Sequence, residues 1–130
     1  MAEIILIVDD DEHIRAVARE ALLSLDYQVI DTGDPQEAIR IARAQRIDLL
    51  LTDIVMPLMK GPQLADRIQA IAPSTKVLLM SGYQTSDVSG SERPFLAKPF
   101  TIDDLARRVR ETLARPSPFA RLAKASRMAL

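Results

Sequence analysis

Apolar residues along the chain follow two rhythms: short unbroken runs, and longer stretches spaced for one face of a helix. The first run, Ile4 to Val8, is β-branched or leucine throughout and suits a strand buried on both faces. It stops at Asp9, Asp10 and Asp11. Ile14, Val17, Ala18, Ala21, Leu22 and Leu25 then recur at helical spacing and predict the apolar side of a first helix. A short second strand is expected at about residues 28–31. Asp34 followed by Pro35 reads as the N-cap and first residue of a second helix, with Ala38, Ile39 and Ala42 on its apolar side. The third strand spans residues 49–52 and ends at Asp53; Met56-Pro57 and Gly61 mark the loop after it. A helix follows over about residues 62–72, carrying Leu64, Ile68 and Ile71, and Pro73 ends it. Strands are expected at residues 77–80 and 95–97. Thr101 caps a last helix with Asp103 and Asp104 in its first turn and Ile102, Leu105, Ala106, Val109 and Leu113 toward the core.

Strands alternating with helices imply a parallel sheet covered on both faces, and right-handed crossovers make that a doubly wound α/β fold. The segment 81–94 breaks the rhythm. It is polar, rich in Ser and Gly, and nearly empty of apolar residues, so the helix due there is expected to be short or missing. Arg115-Pro116-Ser117-Pro118 reads as a boundary, dividing a domain at 1–115 from a tail at 116–130. The tail carries Arg121, Lys124 and Arg127 and no acidic side chain. It reads as a frayed end, or as a segment whose Phe119, Leu122 and Ala123 dock on an acidic surface.

Composition removes several function classes. The chain has 130 residues, which fits one domain with a core of its own. No cysteine is present, so disulfides and thiolate metal sites are excluded, and the single histidine, His13, excludes a His-rich metal centre. A net charge of -1 does not point to nucleic acid. No apolar run has the length of a membrane span, and the first residues lack a secretory pattern, so a cytoplasmic location is expected.

The chemistry lies at the strand ends. In a parallel α/β sheet all strand C-termini share one edge, where ligands bind. Here those ends carry Asp9 and Asp10, then Asp53, then Ser81, then Lys98. One polar residue at a strand end is ordinary turn chemistry, but five at one edge are not explained that way. Three carboxylates repel one another; Lys98 supplies one counter-charge and a hard divalent cation suits the rest, with Mg2+ fitting an all-oxygen site. A cation and a lysine beside one carboxylate suit phosphoryl transfer, which needs charge neutralised on the transferring oxygens.

Four segments carry a resemblance. They are Ile-Leu-Ile-Val-Asp-Asp-Asp-Glu at 5–12, Leu-Thr-Asp-Ile-Val-Met-Pro-Leu-Met-Lys-Gly at 51–61, Met-Ser-Gly-Tyr at 80–83 and Leu-Ala-Lys-Pro-Phe at 96–100. In this order they resemble the receiver domains of two-component response regulators, over about residues 3–114. The resemblance implies a five-stranded flavodoxin-like sheet of order 2-1-3-4-5. It assigns Asp53 as phosphoacceptor, Asp9 and Asp10 as metal acids, and the backbone carbonyl of Val55 as a further Mg2+ ligand. Ser81 and Lys98 would hold the phosphoryl oxygens, and Phe95 would be the aromatic switch whose position follows Ser81. The Lys98-Pro99 bond is often cis in that family. The implied partners are a sensor histidine kinase or histidine phosphotransfer protein and an unknown output protein, with no direct nucleic acid, no membrane, and a monomer or weak dimer. The domain would catalyse only its own Mg2+-dependent phosphorylation and dephosphorylation.

Departures from the family pattern sharpen these expectations. Lys60 stands where many receivers carry Asp or a small polar residue, and reads as a solvated surface lysine. Val55 and Tyr83 occupy the two positions that tune water access, so phosphate loss is expected to be slower than in receivers with polar residues there. Only sixteen residues separate Ser81 from Lys98, which casts doubt on dimerisation by the usual surface. His13 reads as exposed on the first turn of the first helix. Two other classes stay in view: a phosphorylation-independent pseudo-receiver acting as a scaffold, and a Mg2+-dependent aspartyl phosphatase. The latter's Asp-x-Asp-x-Thr pattern is not met by Asp9-Asp10-Asp11-Glu12-His13.

Overall fold

The computed structural model describes residues 2–82 and 93–116. Within them the order is β1 (Ile4–Val8), α1 (Glu12–Leu23), β2 (Gln28–Thr32), α2 (Pro35–Ala44), β3 (Leu49–Asp53), α3 (Gly61–Ile71), β4 (Lys76–Ser81), β5 (Phe95–Ala97) and α4 (Ile102–Ala114). The strands form one sheet in the order β2-β1-β3-β4-β5, and every pairing is parallel. This is the doubly wound α/β architecture expected. The short or missing helix expected within 81–94, Tyr83 and almost all of the tail at 116–130 lie outside the described residues.

Period-two alternation sorts the strand side chains between two cores. Ile5, Ile7, Leu49, Leu51, Leu78 and Met80 face α1 and α4, meeting Ala18, Leu22, Leu105 and Val109. Leu6, Val8, Leu50, Val77 and Leu79 face α2 and α3, meeting Ala38, Ile39, Leu64 and Ile68. Burial on both faces explains the unbroken apolar runs of β1, of residues 49–51 in β3 and of residues 77–80 in β4.

Local chemistry sets the helix starts. The Asp11 side chain accepts the N–H groups of His13 and Ile14, and Asp34 caps α2 just before Pro35. Thr101 and Asp104 form a reciprocal capping box on α4. The two Asp104 interactions with Thr101, backbone first, hold its carboxyl below the usual carboxylate range.

Four apolar residues expected on inward faces are exposed instead: Val17 and Leu25 of the α1 region, Ile71 of α3, and Ile102. The sheet covers only a narrow stripe of each helix. On α1 that stripe is centred on Ala18, Ala21 and Leu22, so Val17 falls at its edge. Ile102, 58% exposed, stands at the first turn of α4, before that helix comes over the sheet.

α3 begins one residue before the expected position, and Gly61 is there for a reason of contact. Its N–H donates to the Ile54 carbonyl at 2.8 Å. A Cβ at that position would overlap the Asp53 carbonyl oxygen and press on the Ile54 Cα. Backbone cannot swing aside as a long side chain can. Gly61→Ala is therefore expected to cost about 2 kcal/mol or more, read as a lower urea midpoint with an unchanged slope.

Candidate functional site

The sheet register brings the expected residues to one edge. Val8 pairs with Thr32 on one side and Thr52 on the other. Asp53 pairs with Met80, and Ser81 with Ala97. Asp9 therefore emerges level with Asp53, Ser81 one residue further along, and Lys98 one beyond Ser81. From β1 the chain crosses outward to β2 and then back past β1 to β3, so Asp9 and Asp53 flank the point where the winding reverses. A cleft of about 400 Å³ opens there, lined by Asp9, Asp10, Asp53, Val55, Ser81 and Lys98 among others.

Asp9 is fully buried and held from every side. One carboxylate oxygen accepts the Asp11 N–H at 2.9 Å, and the other accepts Lys98 Nζ at 2.7 Å. Its backbone N–H donates to the Thr32 carbonyl at 3.3 Å. Its backbone carbonyl accepts Arg15 Nη1 at 2.8 Å, and Arg15 Nε reaches Asp31 at 3.1 Å. The Arg15–Asp31 brace was missed by sequence reasoning. It joins α1 to β2, and no local pattern announces a pairing that depends on which strand lies beside β1.

Asp53 is 8% exposed, and its carboxylate lies 3.3 Å from Lys98 Nζ. One ammonium thus bridges two carboxylates. Oxygens of Asp9, Asp10 and Asp53 lie within 4.8 Å of one another, a grouping able to hold a metal ion. Burial, then the neighbouring Asp9, and more weakly Asp10, raise the Asp53 carboxyl above its ordinary pKa against the pull of Lys98. Burial works against the Lys98 ammonium, but its hydrogen bond to Asp9 and the charges of Asp9 and Asp53 outweigh it, so its pKa is raised. With three carboxylates and one ammonium the cleft keeps an excess of negative charge, which a divalent cation would neutralise.

The other expected residues are placed as follows. Ser81, the last residue of β4, is buried at the cleft, and its carbonyl accepts the Lys98 N–H at 2.8 Å. The Lys98-Pro99 bond is cis. Val55 is half-exposed at the rim. Phe95, on β5, is partly buried against the core beneath α2 and α3. His13 is exposed, as expected, and its backbone N–H serves the Asp11 cap. Among the described residues no helix is long and apolar enough to cross a membrane.

The family model described as "Response regulator receiver domain" matches residues 5–110. The chain is 36% identical over 126 residues to the DNA-binding transcriptional regulator NtrC of Azospirillum brasilense, covering 93% of this chain and 26% of that protein. It is 31% identical over 118 residues to sporulation initiation phosphotransferase F of Bacillus subtilis, covering 87% of this chain and 95% of that one. Among solved structures, the receiver domain from the hybrid histidine kinase CckA superposes with a TM-score of 0.75 at 35% identity, covering 85% of this chain and 98% of that chain. The chain thus spans about a quarter of the length of the first of these relatives and nearly all of the second. Sheet order, the acidic cleft and the matched span agree: the chain belongs to the response regulator receiver domain family.

Proposed function

We propose that this domain accepts a phosphoryl group on Asp53 and signals through the change in shape that follows. The observation that carries the reading is the Lys98 ammonium set between Asp53 and the buried Asp9, with Asp10 adding a third carboxylate. An Asp53 oxygen attacks phosphorus, the new P–O bond forms as the P–N bond of a phosphohistidine donor breaks, and the imidazole leaves with the bonding pair. Asp9, Asp10, Asp53 and the Val55 backbone carbonyl would hold Mg2+. The donor set fits it, being all oxygen and short of positive charge. When bound, the ion supplies charge neutralisation on the transferring oxygens. Lys98 holds one phosphoryl oxygen and the Ser81 hydroxyl another. Phe95 moves inward as Ser81 turns toward the phosphoryl group, shifting the population of two states.

The donor is a sensor histidine kinase or histidine phosphotransfer protein, and the output is a binding partner. Exposed Val17 and Ile102 line a shallow groove between α1 and α4, close in sequence to the acids and to Lys98, which supports a protein donor docking there. We take residues 1–115 as the receiver and 116–130 as a basic tail, in a cytoplasmic protein that is monomeric or weakly dimeric. The domain turns over no substrate apart from its own phosphorylation and dephosphorylation.

Labelled acetyl phosphate tests the reading. Mg2+-dependent incorporation is expected in the native chain and none in Asp53→Asn; chelation with EDTA is expected to reduce incorporation at least about a hundredfold. Absence of label in the native chain at saturating Mg2+ would leave a scaffold that binds without phosphorylation.

A further inference from the structure

On the opposite face of the sheet from α1 and α4, a cleft of about 510 Å³ lies between α2 and α3. Arg40 and Arg43 of α2 and Arg67 of α3 line it, and all three are exposed. Among the described residues none of the three has a side-chain hydrogen bond or ion pair, whereas Arg15, Arg19, Arg46, Arg107 and Arg108 each meet a carboxylate. The two helices carry only two acids. Asp66 is taken by Arg93 at 2.6 Å, and Glu37 pairs with none of the three. Three guanidinium groups thus share one concavity without a counter-charge, an arrangement that like-charge repulsion disfavours.

The cleft is not only charged. Ile39 and Ile71 contribute to its lining, and Ile71 is 37% exposed. A small anion would leave that apolar surface uncovered. A groove between two helices, with an apolar floor and cationic walls, suits a helix laid into it with apolar residues on one side and acids flanking them. The chain's own tail carries Arg121, Lys124 and Arg127 and would be repelled. We propose that this cleft docks an acidic amphipathic helix of a partner protein, its apolar side chains on Ile39 and Ile71 and its carboxylates on Arg40, Arg43 and Arg67. Docking there uses none of the phosphoryl-transfer residues and stands whether or not Asp53 is phosphorylated.

The test is backbone-amide NMR on the full chain, titrated with a synthetic peptide of about sixteen residues, long enough to form a helix once bound, with Leu at helical spacing and Glu elsewhere. Parallel arms use the same peptide with Lys for Glu, inorganic phosphate alone, and a short DNA duplex. Saturable shifts are expected at Ile39, Arg43, Ala70 and Ile71 with the Leu/Glu peptide only. The triple substitution Arg40→Gln, Arg43→Gln and Arg67→Gln is expected to weaken binding at least about tenfold without lowering the urea midpoint, since it relieves like-charge repulsion. Ile71→Ser is expected to weaken it in a salt-independent way. If the triple variant loses cooperative unfolding, Arg67→Gln alone, at an exposed position, is read for the same direction of change. Shifts confined to another surface, binding untouched by the arginine changes, saturation by phosphate alone, or tighter binding of the duplex would each overturn the proposal.

Discussion

Lys98→Gln is expected to slow phosphoryl incorporation by about 100- to 1000-fold and to cost the metal-free domain about 3 kcal/mol. Both effects follow from one atom. Lys98 Nζ is 2.7 Å from Asp9 and 3.3 Å from Asp53, on a side chain only 16% exposed. Without it, the fully buried Asp9 carboxylate keeps the Asp11 N–H but loses its cationic partner, beside two more carboxylates, while Arg15 still holds only the Asp9 backbone carbonyl. Glutamine can donate a hydrogen bond but cannot supply the charge. The pH dependence identifies the cause. The folded pKa of Lys98 lies above its ordinary 10.5, so its contribution is complete below that pH and is lost as pH rises through the folded value. The stability gap between the native chain and the Lys98→Gln variant should therefore be flat near neutrality and close in strong alkali. Urea unfolding in EDTA across that range measures it, and label incorporation measures the rate. A gap near zero at pH 7 would show that Lys98 is not the counter-charge of the cluster.

Asp53→Asn should act in opposite directions on function and stability. Incorporation is expected to fall to background, at least about 1000-fold, since an amide cannot be the nucleophile. The metal-free chain, by contrast, is expected to gain about 1 kcal/mol, because the substitution relieves a carboxylate held against Asp9 and Asp10. The Asp53 carboxyl has a folded pKa above its ordinary 3.8, set first by burial and then by Asp9. The folded state therefore binds that proton more tightly than the unfolded chain does. Stability is lost as pH rises from 3.8 through the folded pKa, and the penalty is complete above it. The advantage of the Asp53→Asn variant should accordingly be absent at low pH and grow to a plateau. Mg2+ should reverse the order. A ligand at 100 times its Kd adds about 2.7 kcal/mol to the state that binds it, and the native chain keeps all three carboxylates. Thermal unfolding with and without Mg2+ reads the reversal; an Asp53→Asn variant stabilised by Mg2+ as strongly as the native chain would remove Asp53 from the metal site.

Much of the fold was legible along the chain because its signals are local. The apolar runs at Ile4–Val8 and at residues 49–51 are uninterrupted since both strand faces are covered. Asp34-Pro35 and Thr101 with Asp104 mark helix starts by chemistry completed within one turn. The exposure of Val17, Ile71 and Ile102 was not legible. An apolar residue at helical spacing looks the same whether the sheet reaches it or stops short. The arginines of the α2–α3 cleft were similarly silent, because Arg40 and Arg67 become neighbours only when two helices pack side by side.

By itself the amino-acid sequence determined which groups end the strands, Asp9, Asp10, Asp53, Ser81 and Lys98, and that strands and helices alternate along the chain up to residue 81. A parallel sheet then had to gather them at one edge, since all its strands point the same way. Tertiary structure alone decided how they meet. The register of β1, β3, β4 and β5 sets one ammonium between two carboxylates rather than beside one. The packing of α1 on β2 lets Arg15, braced by Asp31, grip the Asp9 carbonyl. Gly61 admits the close passage of α3 over the end of β3. Each of these depends on distances between segments far apart in the chain, which composition and periodicity do not encode.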